Sequence, residues 1–403
     1  MIDPRLGGYA CLLLCVASCV SGGESIASHT VRDSAGIRIV ESTDPAWSAE
    51  EQWTIADAAF LDIGVVEGAE AYEFQYISGA LRLTNGNIVV ANSGSDELRC
   101  FDSSGNHMWT AGRNGAGPGE FRNLGWVRRL GADSIVAYDR SLRRISVFDI
   151  SGAFGRTTNL EAPGGNLRPT ALGVLDDGTV IVQANSLVTP STVAEGLNHV
   201  DGWLLRYSAE GERGDTIATA PPASWFAFAN GPRRVIAQQP FSPQAFVAIT
   251  ATHVHLGHSS VFEIRSYDAA GNLMRLIRLL RPNRAVTDDD IQTYLQLQLE
   301  QATSADERAF QRDLAEAAPY PEEFPSFRSI LADNAGRLWV ENYRVPGETE
   351  VVYSVFAAEG ELLGQVGIPP GLLVYEIGED YVLGRWRDEL DVEHIRLHEL
   401  IKP

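Results

Sequence analysis

Beyond its first nineteen residues the chain holds a single cysteine, Cys100, so no intramolecular disulfide braces the body of the protein. Its setting, DELRCFD, is strand-like and carries no reactive-thiol signature, so Cys100 is expected to be a small buried hydrophobe. Basic residues are scarce: 32 Lys and Arg stand against 53 Asp and Glu, a formal net charge of -21. No Lys/Arg run offsets that balance, which excludes recognition of a phosphate backbone and points to no nucleic-acid partner. Past the amino terminus, no stretch reaches the roughly 18 apolar residues that mark a membrane-spanning helix. Catalytic signatures are missing too. There is no Gly-x-Ser-x-Gly elbow, no paired His with Glu for zinc, no Walker loop and no EF-hand series.

What is present begins at the amino terminus. Arg5 precedes a short apolar run from about Tyr9 to Ala17, followed by small residues, the layout of a secretory signal peptide over residues 1–18. Val16-Ala17-Ser18-Cys19 resembles the bacterial lipobox. That resemblance implies lipidation of Cys19 as the first mature residue, and a membrane partner through the lipid anchor. A plain signal peptide cleaved nearby, with Cys19 incidental, is the alternative. Residues 19–35 are small and polar, as a flexible tether should be.

The 38 glycines and 19 prolines are spread along the chain, which suits many short strands joined by turns. One phrase recurs: a short strand ending in an aromatic, a small or acidic residue, then Gly. It appears around Phe101, Phe148, Tyr207, Tyr267 and Phe356, at intervals of 47, 59, 60 and 89 residues. Each copy follows another strand, as in TNGNIVVANSGSDE and DNAGRLWVENYR, and a final pair, GEDYVLGRWRD and VEHIRLHEL, brings the units to six. Ile88, Val90, Leu98 and Phe101 alternate to put one strand face into a core. A small sheet of this kind cannot bury its faces alone, so the units must stack about an axis. The prediction is all-β: a six-bladed β-propeller over residues 36–403.

Residues 101–127 resemble the NHL repeat, with Gly112, Gly115, Gly117, Pro118, Gly119, Glu120 and Phe121 matching its glycine-rich crossing between blades. The layout as a whole, including VRDSAGIRIVES at 31–42, resembles NHL-like six-bladed propellers that bacteria export as lipoproteins. The resemblance implies a place at the cell envelope, periplasmic or on the outer surface. Part of the stretch Gly36 to Gly64 is expected to join the carboxy-terminal strands and close the ring, an unpaired extension being the alternative. Residues 285–320 form the one helical region. Thr287 caps a helix opening with Asp288, Asp289 and Asp290, and Ser304 with Glu307 forms a capping-box pattern for a second. This insertion explains the longest interval; it is expected to pack over one end of the propeller, a merely decorative insertion being the alternative.

Candidate chemistry comes from two places. His253 and His255 alternate along a probable strand and share a face, with His258 nearby, but a third metal ligand is missing from sequence logic. Positions ending the second strand of each unit, Asn92, Asp139, Asn185, Glu341, Asn342 and Arg385, are the channel-lining candidates; converging carboxylate and amide oxygens suit a calcium ion. That arrangement resembles the gluconolactonase and paraoxonase group, which implies a metal-dependent hydrolase or lyase acting in the channel. The glutamate such enzymes need early in the first blade has only loop candidates here, Glu67, Glu70 and Glu73, and Asx residues after strands also simply make turns. Trp203, Trp225, Trp339 and Trp386 are read as wedges between blades, and residues 219–245 as a Pro-rich apolar connection. With no catalytic residue assignable, an exported scaffold binding a protein, peptide or glycan leads, and channel hydrolysis follows.

Overall fold

The computed structural model describes residues 28–132, 134–189 and 191–403; the expected signal peptide over 1–18 and the expected lipidation site Cys19 lie outside them. Strands β1 (His29–Ser34), β2 (Ile37–Ser42) and β3 (Thr54–Ile63) come first, and six sheets are then built in chain order. Blade 1 holds β4 (Ile77–Arg82), β5 (Ile88–Asn92), β6 (Glu97–Phe101) and β7 (His107–Ala111). Blade 2 holds β8 (Leu124–Leu130), β9 (Ser134–Asp139), β10 (Arg144–Asp149) and β11 (Phe154–Asn159). Blade 3 has β12 (Leu167–Val174), β13 (Val180–Ser186), β14 (Gly196–Tyr207), β15 (Arg213–Asn230) and β16 (Arg233–Gln238). Blade 4 is β17 (Ala245–Ile249), β18 (His253–His258), β19 (Glu263–Asp268) and β20 (Leu273–Leu279). Helices α1 (Asp288–Gln301) and α2 (Ala305–Ala317) follow. Blade 5 is β21 (Phe327–Ala332), β22 (Leu338–Asn342), β23 (Val351–Phe356) and β24 (Leu362–Ile368). Blade 6 is β25 (Leu373–Ile377), β26 (Tyr381–Arg387) and β27 (Glu393–Ile401), completed by β3. This is a six-bladed β-propeller.

The second strand of a blade is buried on both faces, not one. In β5 every residue from Ile88 to Asn92 is buried. Ile88, Val90 and Phe101 join a core with blade 6 residues such as Leu383 and Ile395. Val89, Ala91, Leu98 and Cys100 join another with blade 2 residues such as Leu124 and Ile135. The ring geometry makes each blade the floor of one core and the roof of the next, so the run is continuously apolar, while the outer β7 alternates. Cys100 is one of these packing residues, and burial holds its thiol protonated by raising its pKa to about 12.

The recurring phrase is a recurring backbone shape. The aromatic closes the third strand, and the register slips there in five blades: Phe101 pairs with His107, Phe148 with Phe154, Tyr207 with Arg213, Tyr267 with Leu273 and Phe356 with Leu362. In blades 1, 2 and 4 the aspartate after the aromatic then ties the turn, and in blade 3 the Ser208 hydroxyl takes that place. Asp102 Oδ1 accepts from the amides of Ser104 (2.9 Å) and Asn106 (2.8 Å), and Asp149 does the same for Ser151 and Ala153. The glycine is required because φ is positive there, for example +84° at Gly105 and +82° at Gly152.

The amino-terminal stretch differs from expectation in extent. Residues 29–34 are not tether but the edge strand β1, folded onto β2 through Ala35 and Gly36, both with positive φ as a two-residue hairpin turn demands. The hairpin extends blade 4, β2 lying parallel to β20. The chain then crosses blade 5, where Ala46 N and Trp47 N donate to the carbonyls of Leu362 and Leu363 at 3.0 and 2.7 Å. It ends as β3, antiparallel to β27, which closes the ring. Trp47 lies over Gly364, where a side chain would run into its ring, and stacks 4.6 Å from Trp53, itself 6.3 Å from Trp339. One segment therefore straps three blades.

Two insertions rise from the end of the ring where the chain crosses between blades. The helical hairpin lies between β20 and β21. Thr287 and Asp290 make a reciprocal capping box on α1; Ser304 Oγ accepts from Glu307 N, while the Glu307 carboxylate reaches back to Thr303 N rather than to the cap residue. The second insertion was read as a connection between blades and is instead strand: β14 and β15 overrun their blade, with Pro221 and Pro222 at a register break, and β16 adds a fifth strand. The two meet through Asn230 Nδ2 to Asp313 Oδ2 (3.1 Å) and through Phe241, which packs on Tyr294, Tyr320 and Phe324.

If the strap carries stability, Trp47→Ala will cost about 2 kcal/mol of unfolding free energy. Val31→Ala, on the exposed edge of β1, will cost less than about 0.5 kcal/mol. Chemical denaturation of both variants beside the parent checks the contrast.

Candidate ligand-binding site in the central channel

The first strand of every blade borders the axis, and all six line one cavity of about 770 Å³ through Leu81, Val127, Gly173, Ile249, Ile330 and Tyr375. These residues lie late in their strands, and the turns that follow them form the mouth. The cavity is therefore at the end of the ring opposite both insertions. It extends sideways between blades 4 and 5, past His255, Ser266 and Arg275, which stand in one cross-strand row.

Most charged groups bordering it are engaged. Asp333 accepts from Arg337 Nε (2.6 Å), Trp339 Nε1 (3.1 Å) and two backbone amides. Glu376 accepts from Arg82 N, Asn334 Nδ2 and the Tyr381 hydroxyl. Arg129 donates to the Arg82 carbonyl at 3.0 Å, and Arg275 to the Ala358 carbonyl. Asp176 and Glu359 are exposed on turns at the mouth without side-chain hydrogen bonds or ion pairs, and the Arg128 guanidinium likewise has none among the described residues. Protein surrounds it on all sides of the channel, yet it keeps solvent contact because the cavity reaches it. That confinement lowers its pKa, against a weaker upward pull from the Glu376 charge.

His255 and His253 do share a face, their rings 6.2 Å apart. His255 is buried, its Nδ1 2.8 Å from Ser266 Oγ and its Nε2 without a partner. Burial first, then the neighbouring His253 and Arg275, depress its pKa from 6.5 to about 3, so the ring is neutral at ordinary pH. His258 turns to Ser260 (2.8 Å) instead of joining them. Among the described residues, no three His, Cys, Asp or Glu side chains come together as a metal-holding group.

None of the six channel-lining candidates borders this cavity. They end their strands opposite the first residues of the inner strands, Asn92 against Ile77 and Asp139 against Leu124, which puts them at the other end of the ring. Their polar atoms tie the crossing loops. Asn92 Oδ1 accepts from Gln75 N (2.8 Å), and the two Asp139 oxygens accept from Arg122 N and Leu142 N. Glu341 takes Ser329 Oγ and faces Arg344 at 3.3 Å, Asn342 takes Ser354 Oγ, and Asn185 is exposed. Arg385 holds Glu393 Oε1 at 2.9 Å, and Glu393 Oε2 accepts Ile77 N at 2.6 Å, a lock between the last and first blades. With these oxygens engaged, the residues present do not fit a calcium shell. Glu67, Glu70 and Glu73 are exposed on the loop before blade 1, around a 3-10 turn. Trp339 is fully buried, and Trp203 and Trp386 pack against interblade cores. Sequence reasoning missed Arg128 and this cavity; the signal available was the Arg128-Arg129 pair inside the otherwise apolar run LGWVRRL.

A family model described as a 6-bladed beta-propeller matches residues 60–164. No curated protein matches the chain. Among solved structures, a protein of Bacteroides fragilis described as exported is similar at 13% identity and a TM-score of 0.48, covering 90% of this chain and all of its own. Regucalcin of Agrobacterium tumefaciens, described as calcium-binding, gives 9% identity, a TM-score of 0.39, and 83% and 94% coverage. Virginiamycin B lyase of Staphylococcus aureus gives 8%, 0.39, and 85% and 99%. Likeness at this level concerns the fold alone. No helix among the described residues is long and apolar enough to cross a membrane.

The depressed His255 pKa has a measurable sign. The unfolded chain takes up a proton near pH 6.5 that the folded protein refuses until about pH 3, so stability is lost as pH falls below 6.5. Melting temperature will drop between pH 7 and pH 5, and His255→Gln will flatten part of that drop; His258, also depressed by burial, accounts for a remainder. An unchanged slope in the variant would contradict the assignment.

Proposed function

We propose that this chain is an exported, lipid-anchored binding propeller of the cell envelope, receiving a peptide or glycan at the mouth of its central channel without transforming it. The carrying observation is the cavity of about 770 Å³ bordered by all six inner strands, with the Arg128 guanidinium facing it without a hydrogen bond or ion pair among the described residues. A rigid closed ring supplies preorganisation, which lowers the ordering cost of binding. The Arg5, apolar run and Cys19 sequence supports export and anchoring.

Two experiments test it. Cys19→Ser should move the protein from the membrane fraction to the soluble fraction and abolish incorporation of a labelled fatty acid; retention in the membrane sinks the anchor. For binding, the full chain is screened on peptide and glycan arrays. Ala251→Trp, on an exposed turn at the cavity mouth, should remove at least tenfold of the signal, whereas Gln296→Trp on the exposed face of α1 should leave it unchanged. The reverse pattern would assign recognition to the end carrying the insertions.

A further inference from the structure

We infer that the cavity is selective for an anionic ligand, one presenting a carboxylate or phosphate group that pairs with the Arg128 guanidinium. The inference rests on the reading of the cavity as a ligand site and names the chemistry it takes. Three observations carry it. Arg128 reaches the cavity and has no hydrogen bond or ion pair among the described residues. The acids nearest the interior, Asp333 and Glu376, already hold donors of their own; Glu376 acts on Arg128 only through its charge and makes no ion pair with it. The two other acids that border the cavity, Asp176 and Glu359, are exposed on turns at the mouth.

Arg128 stays solvent-accessible through the cavity, so its guanidinium is held by water and not by a protein partner, and an entering ligand can displace that water. In a chain of net charge -21 a neutralising carboxylate would have been easy to supply. The position opposite is instead open space. An incoming carboxylate or phosphate offers the paired oxygens that a guanidinium fork accepts, in an enclosure where such a bond is stronger than in water. Other guanidinia of the ring are tied to backbone carbonyls: Arg144 donates through Nη1 and Nη2 to those of Ala116, Gly117 and Glu120, and Arg99 through Nη1 to those of Glu70 and Glu73. Arg128 makes no such bond and faces the cavity instead.

The test uses matched probes on the purified full chain by isothermal titration calorimetry at low salt. These are alanyl-alanine against its carboxamide, galacturonate against galactose, and inorganic phosphate. At least one anion should bind, its neutral counterpart tenfold or more weaker. Arg128→Met should lose that tenfold, and Arg128→Lys should retain part of it. Phosphate alone binding, or a carboxylate alone, identifies the source of the charge. Arg128→Met should also melt no lower than the parent without ligand, because it removes an unengaged charge and keeps the stem; a large drop would show that Arg128 is structural and overturn the inference. Neutral and anionic probes binding equally, with Arg128→Met unaffected, overturns anion selectivity and leaves the cavity standing as a site. No probe of either kind binding overturns both.

Discussion

Everything in this fold depends on the ring being closed. Each blade has two apolar faces, and each interblade core needs a neighbour on either side, so an open ring would expose two complete faces at once. Closure is achieved at three levels. β3 pairs with β27, so opposite ends of the chain share one blade. The start of β4 is held from both sides by blade 6, its Ile77 amide by the Glu393 carboxylate and its Ile77 carbonyl by the Tyr375 hydroxyl at 2.6 Å. The strap through Trp47 then runs around the outside of blade 5 from blade 4 to blade 6. Covalent crosslinks are absent from the body of the chain, and hydrogen bonding between distant segments takes their place.

Closure also explains where polar side chains go. The crossing loops run between blades with amides and carbonyls that no strand satisfies, and buried backbone groups must find partners. Arg99 and Arg144 supply donors to loop carbonyls, and Asn92 and Asp139 supply acceptors to loop amides. Acidic and amide residues at the ends of second strands are therefore consumed by architecture at one end of the ring. The opposite end is finished by tight hairpin turns that satisfy themselves, through residues such as Asp333, and that leaves its axial space free.

This division decides what was legible in the sequence. The blade count followed from the aromatic-turn-Gly phrase because that phrase is a local device: a register slip, an acidic acceptor and a positive φ within seven residues. The helical hairpin was legible for the same reason, its caps at Thr287 and Ser304 being local. The blade 3 extension was not, since Pro221 and Pro222 argue against strand, and the break that accommodates them is set by pairing with β14. The cavity was invisible because its lining comes from six strands up to about 300 residues apart, and periodicity in one strand does not reveal an axis.

Arg128 shows how the two levels combine. Within β8 it stands between Val127, buried in the core with blade 1, and Arg129, which donates to the Arg82 carbonyl of that blade. Read locally, an Arg-Arg pair in a strand suggests an exposed edge. The ring turns that strand inward, and what would be a solvated pair becomes one interblade tie and one guanidinium facing a confined space. Replacing Arg128 with an apolar residue of similar length would preserve every packing contact that closure requires. Its charge therefore answers to something other than the fold, and the cavity beside it gives that charge room to act.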